Sequence, residues 1–302
     1  MKEKIFITGA SGFIGKAAVA TLINKGYDIA SWRHRPGANI PEHLRRTRMY
    51  TGDLSDLNQE TTRQLREALS GARTVLHLAA KTPEAAHSRN EFQKHNVDMT
   101  QRLIAAAQEA RVERFIFVST QSVTARRLSD YAQSKKTAEE AVQQSGLDYV
   151  IVRPAIVYGP GDLGLFAKLV RLINAFPVIP FPDSPAEFQP VLLDDVARTL
   201  AGLVESNGLK LVDIAGPDAV TLKQWIGRIA QVMNKQRLFI PIPMPVAFAG
   251  ARTLSLILKK PPITVDNLRG LAEASRVDIG SMRGLGIEPL PLAEGLRRTF
   301  AS

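Results

Sequence analysis

Four side chains between Ser119 and Lys135 could do chemistry together: the hydroxyls of Ser119 and Thr120, the phenol of Tyr131 and the amine of Lys135. Tyr131 and Lys135 are four residues apart, which puts both on one face of a helix. A positive charge beside a phenol favours the phenolate, so such a pair can take a proton from an alcohol or return one to a carbonyl. A neighbouring hydroxyl would hold the substrate oxygen in place. Alone, a Tyr–Lys pair at this spacing is ordinary surface decoration. What precedes it in the chain gives it meaning.

The chain opens on Ile5-Phe6-Ile7-Thr8-Gly9-Ala10-Ser11-Gly12-Phe13-Ile14-Gly15, and an apolar-periodic run to Lys25 follows at once. A β-branched and aromatic strand ending in a glycine turn, with a helix beginning directly after it, presents bare backbone and unpaired N–H groups to a pyrophosphate. About 20 residues beyond such a turn, a dinucleotide fold meets the adenosine ribose. This chain offers Arg33-His34-Arg35-Pro36-Gly37 there. A carboxylate would bind a ribose 2′-hydroxyl and repel a 2′-phosphate, whereas two guanidiniums suit a phosphate. NADP(H) is the expected cofactor, with NAD(H) as the alternative; the structural reading makes Arg33 and Arg35 solvated loop residues.

Several elements must position these groups. Strands are expected at Tyr27–Trp32, at Arg48–Thr51 leading to Asp53 at the adenine edge, at Thr74–Leu78, at Arg114–Ser119 and at Asp148–Val152. Helical periodicity runs to Leu69 and again from Asn96 to Ala110. Strands and helices alternating at these lengths predict an α/β fold, a Rossmann-type doubly wound parallel sheet covered on both faces. Ala79-Ala80 leaves the fourth strand with side chains small enough for a cofactor to pass, and His77 inside that strand reads as a packed core residue. Residues 1–158 form the expected nucleotide domain, with its sheet completed by about 188–215. Residues 159–187 and 216–302 form the expected smaller C-terminal α/β substrate lobe. In that lobe Gly164–Ala175 and Thr221–Met233 read as helices, Phe176–Pro190 as an irregular pocket lid, and Val191–Leu193 as a return to the sheet. Pro241–Leu258, the most apolar stretch, reads as a helix lining the substrate cleft. Asp194-Asp195 reads as a helix start rather than a metal site, since no histidine or third acid accompanies the pair.

Composition excludes several other classes. The 302 residues are 45% hydrophobic and 23% charged, ordinary for a globular protein. No cysteine is present, which removes disulfides and thiolate chemistry. The charge of +10 is spread along the chain without a basic stripe interleaved with aromatics, so nucleic acid is not an expected partner. Met1–Lys4 leads straight into a strand and no apolar run reaches about 18 residues, so the expected location is the cytoplasm. Peripheral membrane contact through Pro241–Leu258 with Lys259-Lys260 is the less favoured alternative.

Thr8–Gly15, Asp53-Leu54, His77-Leu78-Ala79-Ala80, Asn96-Val97, Tyr131-Ala132-Gln133-Ser134-Lys135 and Arg153-Pro154 together resemble the extended short-chain dehydrogenase/reductases, which include the NAD-dependent epimerase/dehydratase group. The resemblance implies catalytic roles for Thr120, Tyr131 and Lys135 on a carbonyl or alcohol substrate. It implies cofactor contacts from Gly9, Ser11, Gly12, Phe13, Ile14 and Gly15, then from Arg33, Arg35, Asp53 and Leu54. Further contacts are implied from Leu78, Ala79, Ala80 and Asn96, from Tyr131 and Lys135 themselves, and from Pro154 and Ile156. No metal is implied, and a homodimer through the helices around Asn96 and Tyr131 follows by analogy only. Members acting on sugar nucleotides often carry asparagine where this chain has Ile156, and arginine near where it has Phe188-Gln189-Pro190-Val191. The loop from Thr120 to Tyr131 is also short. These departures, with Pro261-Pro262-Ile263-Thr264, look more like the atypical branch that includes the nucleotide-binding accessory subunit of respiratory complex I. That branch implies a less polar substrate, or a protein that binds NADPH without turnover as a sensor or assembly factor.

Overall fold

A computed structural model of the chain describes residues 3–34, 42–56, 58–83, 85, 88–257, 265–273 and 276–301. In chain order the strands are β1 Lys4–Thr8, β2 Asp28–Arg33, β3 Arg48–Thr51, β4 Ala72–His77, β5 Arg114–Val118, β6 Asp148–Pro154, β7 Val157–Tyr158, β8 Val178–Asp183, β9 Glu187–Phe188, β10 Val191–Leu192, β11 Leu211–Ile214, β12 Val220–Thr221 and β13 Leu238–Pro243. The helices are α1 Phe13–Asn24, α2 Gln59–Leu69, α3 Arg89–Phe92, α4 Met99–Glu109, α5 Asp130–Gln143, α6 Leu165–Ala175, α7 Leu193–Glu205, α8 Leu222–Val232, α9 Met244–Ile257, α10 Val265–Ala272, α11 Gly280–Gly284 and α12 Leu292–Ala301.

The chain divides into two compact units. The first takes Met1–Pro154, Asp194–Ile214 and Ser281–Ile287. Its seven-stranded sheet runs in the order β11-β6-β5-β4-β1-β2-β3, and every pairing is parallel. The order reverses between β1 and β4, the switch point at whose carboxyl edge ligands bind in doubly wound sheets. Helices on both faces explain why β1 and β5 read as unbroken apolar runs: Phe6, Ile7, Phe115 and Phe117 are all fully buried. The second unit takes Ala155–Leu193, Ala215–Gly280 and Glu288–Ser302. Its core gathers Tyr158, Phe166, Phe188 and Trp225, with Trp225 stacked on Phe166 at 6.2 Å between ring centroids. Among the described residues no helix is long and apolar enough to cross a membrane.

Three expected elements differ. Val191–Leu192 does not rejoin the main sheet; it pairs in parallel with Val157–Tyr158 in the second unit, and β11 lies at the sheet edge beside β6. Phe176–Pro190 contains a true strand, β8, parallel to β13 over six residue pairs. Ile179 and Phe181 are buried while Val178 and Pro180 are exposed, a period of two that the prolines obscured. For the same reason the apolar stretch from Pro241 is no single helix. Leu238–Pro243 is strand, and α9 starts only at Met244, with Pro245 tolerated in its first turn. Lys259-Lys260 and Pro261–Thr264 lie outside the described residues.

Candidate active site

The glycine turn joins β1 to α1. Gly9 holds φ at +70°, and a Cβ there would meet the Ala79 nitrogen at 2.7 Å, so only glycine lets β1 and β4 exit side by side. A Cβ on Gly15 would lie 2.1 Å from the Gly9 oxygen, which fixes how closely α1 rides on the turn. Gly12 caps α1 in an extended conformation without a side chain to satisfy the first amides, and no acid stands in the first turn. Ser11 and Gly12 are exposed, and Phe13 and Ile14 half-buried. Bare backbone, unsatisfied amides and no competing carboxylate suit a dinucleotide pyrophosphate.

The carboxyl ends of β2 and β3 would face the adenosine. Arg33 closes β2, its carbonyl accepting from the Gly52 N–H at 3.0 Å. Arg35 lies outside the described residues. Asp53 Oδ1 accepts from the Ser55 N–H at 2.8 Å and the Ser55 hydroxyl at 2.6 Å, with His34 Nδ1 at 3.5 Å. Burial alone would raise that carboxyl, but the two Ser55 bonds and the nearby His34 and His95 hold it below its ordinary range. Leu54 is 3% exposed and sits in the main core, so its side chain is a packing group rather than a ligand contact.

Ser119, Thr120 and the Lys135 amine lie where β5 ends. The Ser119 N–H donates to the Val152 carbonyl at 2.7 Å, and the buried Ser119 hydroxyl has no hydrogen-bond partner among the described residues. Thr120 caps a short 3-10 turn, its hydroxyl accepting from the Ser122 N–H at 3.3 Å. Ser129 caps α5 by accepting from the Ala132 N–H, and α5 then carries both Tyr131 and Lys135. The Tyr131 ring is half-buried, 5.9 Å from that of Phe92. Lys135 is 2% exposed; its Nζ donates to the Val118 carbonyl at 2.8 Å and sits 4.0 Å from the Phe117 ring centroid. Burial pushes the amine down to about 7, against a smaller opposing pull from Glu139. The fixed ammonium expected from sequence is therefore a group that titrates near neutrality.

Two arrangements had no signal in the sequence. The first is an ion pair behind the site. Buried Glu139, one turn beyond Lys135, accepts from Arg153 Nε at 2.9 Å and Nη2 at 2.5 Å, locking α5 to β6. The second is a chain of hydrogen bonds with one possible direction. Thr100 Oγ1 donates to the Asn96 carbonyl at 2.6 Å, so it accepts from His77 Nε2 at 3.0 Å. His77 Nδ1 is then the bare nitrogen and accepts the Thr8 hydroxyl at 2.6 Å, while Thr8 Oγ1 accepts from the Ala79 N–H at 3.2 Å. Full burial keeps His77 neutral, pushed down to about 3, with the Lys135 charge adding to the effect. The chain continues through Asn96, whose Nδ2 donates to Ser134 Oγ at 2.9 Å; that hydroxyl donates to the Tyr131 carbonyl at 2.7 Å. Asn96 also clasps Lys81 through the Lys81 N–H and carbonyl. At 1% exposed, its amide is committed within the protein, where it holds the loop after Ala80. A π-helical turn over Gln93–Asp98 presents it there.

Pro154 ends β6 and the first of the three segments of the first unit. Ile156 belongs to the second unit, packs against its core, and accepts from the Val191 N–H at 2.9 Å.

A family model described as the NAD dependent epimerase/dehydratase family matches residues 5–209. The chain is 31% identical over 253 residues to the ceramide reductase of Caulobacter vibrioides, covering 82% of this chain and 76% of that protein. It is 27% identical over 301 residues to NADH dehydrogenase (ubiquinone) 1 alpha subcomplex subunit 9 of Rattus norvegicus, covering 95% of this chain and 76% of that one. The fold is shared with the UDP-glucose 4-epimerase of Thermotoga maritima, at a TM-score of 0.77, 23% identity, and coverage of 99% and 97%. With the family model spanning well over half its length, and the glycine turn and the Tyr131–Lys135 helix in one parallel sheet unit, the chain belongs to the NAD dependent epimerase/dehydratase family.

Proposed function

We propose that this protein is a reductase or dehydrogenase that prefers NADP(H) and acts at the carbonyl or carbinol carbon of a weakly polar small molecule. The observation that carries the reading is buried Lys135, whose amine is bonded to the last residue of β5, with Thr120 two residues beyond that strand and Tyr131 one turn before Lys135 on α5. The amides of the Gly9–Gly15 turn would hold a dinucleotide pyrophosphate, and Arg33 would meet the ribose phosphate. When bound, the nicotinamide supplies the chemistry of hydride transfer. Tyr131 gives or takes the proton at the substrate oxygen, and the Thr120 hydroxyl orients that oxygen. Lys135, titrating near neutrality, sets the local charge that Tyr131 works against. Ile156 in place of an asparagine, and the likeness to a ceramide reductase, favour an apolar substrate over a sugar nucleotide.

The test is Tyr131→Phe, assayed by coenzyme oxidation across ketones, aldehydes and sugar nucleotides. Turnover of an apolar ketone should fall about 10²–10⁴-fold in the variant with coenzyme affinity nearly intact. Unchanged turnover removes Tyr131 from the mechanism. Equal or tighter binding of NADH than NADPH removes the coenzyme preference.

A further inference from the structure

We infer that the second unit docks onto an anionic lipid bilayer through the outward face of the β8–β13 ribbon. In a parallel pair, partnered residues share a face: Val178 stands opposite Leu238, and Pro180 opposite Ile240. On the inner face Ile179 and Phe181 are each 3% exposed. On the outer face Val178 is 42%, Leu238 62% and Ile240 42% exposed, and Pro180 is exposed as well. Leu172 and Phe176, at the end of α6 and just beyond it, are 38% and 54% exposed. The Arg237 guanidinium ties them to this face by donating to the Ile173 carbonyl at 2.7 Å, and the Leu238 N–H donates to the Pro177 carbonyl at 3.0 Å. Single exposed aliphatics are normal; a bare sheet face bordered by two more large apolar side chains is not.

The charge around this face names the occupant. The sequence from Gly164 to Phe181 and from Gln231 to Ile257 contains no aspartate or glutamate, yet carries Lys168, Arg171, Lys235, Arg237 and Arg252. Arg171 and Lys235 are exposed at the starting end of the ribbon, beside Leu172 and Arg237. Apart from Asp183 at the far end of β8, the charges beside these aliphatic side chains are cations, which fits an acyl boundary beneath anionic headgroups. A second copy of this chain fits badly, because a two-fold contact would set these cations against themselves. A protein interface would be expected to supply Tyr or Trp anchors, and the ribbon has neither. The inference stands apart from the hydride reading and holds whether or not the protein turns over.

The experiment uses the full chain with vesicles of phosphatidylcholine, alone and with phosphatidylglycerol added. Co-sedimentation should appear with the anionic vesicles, weaken with salt, and fall about tenfold or more in Leu238→Asp/Ile240→Asp and in Arg171→Glu/Lys235→Glu. Circular dichroism and thermal unfolding report whether each variant is folded. A second probe needs no loss of binding. Trp32 and Trp225 are buried at 3% and 0% exposed, so in Leu238→Trp the new indole dominates any change in emission, which should shift to the blue on anionic vesicles. No binding, equal binding to neutral vesicles, an unshifted indole, or binding unchanged in a folded double variant would each overturn the inference. A concentration-dependent dimer that Leu238→Asp abolishes, without vesicle binding, would assign the face to a second copy instead.

Discussion

Replacing Lys135 with methionine should change how stability depends on pH more than it changes stability at any one pH. Methionine keeps most of the lysine stem and removes the amine. In the folded protein burial pushes that amine down to about 7, whereas in the unfolded chain it sits near 10.4. A lysine lowered on folding destabilises the native state at and below its folded pKa, where it must be buried charged. The penalty is relieved as pH rises from the folded pKa toward the unfolded one, because there the unfolded chain holds a proton that the folded protein has released. The slope approaches about 1.4 kcal/mol per pH unit, so between pH 7 and pH 9 the wild type should gain about 2 kcal/mol relative to Lys135→Met. Urea denaturation of both proteins from pH 5.5 to pH 9 reads this directly, with every other titrating group cancelling in the difference. The difference should be flat at the acid end and bend upward near neutrality. Parallel curves throughout would show that Lys135 stays charged when folded, and the argument from its burial would fail.

Glu139→Gln leaves Arg153 half-paired behind the site and should cost about 3 kcal/mol, at the low end for a broken buried pair because Asp213 also bears on that guanidinium; thermal and urea unfolding check it. Gly15→Ala drives a methyl to 2.1 Å from the Gly9 oxygen and should cost about 3 kcal/mol together with most NADPH affinity, measured by calorimetry. Gly227→Ala, in the interior of α8 with nothing within 4 Å of the new Cβ, should instead stabilise by about 0.5–1 kcal/mol.

Much of the first unit was legible because its signals are local. A strand, a glycine turn and a helix follow one another within Lys4–Asn24, and alternation at regular spacing implies the parallel sheet. The Tyr131–Lys135 spacing was equally plain. What sequence could not give was the company each side chain keeps. Nothing near Lys135 in the chain says that its amine lies against the Val118 carbonyl and the Phe117 ring, because that depends on α5 packing over β5. His77 and Asn96 are likewise defined by partners 69 and 38 residues away in the chain. In the second unit the prolines at 180, 182, 241 and 243 argue against strands by propensity. Those strands form nonetheless, since a two-stranded ribbon leaves edges where a missing N–H costs nothing.

The nucleotide-type unit is discontinuous: its last segment, Ser281–Ile287, carries Met282 at 0% and Ile287 at 7% exposed, near the end of the chain. A ribosome making this polypeptide from its amino terminus therefore cannot finish the sheet unit until Ile287, far beyond β11 in the chain, has emerged. Until then the outer surface of α7 around Gly202, against which Leu285 and Ile287 come to lie, stays uncovered on the nascent chain. A fragment cut at residue 209, where the family match ends, would lack both β11 and that late plug. Such a fragment should be handled as an incomplete body, prone to aggregate, rather than as a minimal domain.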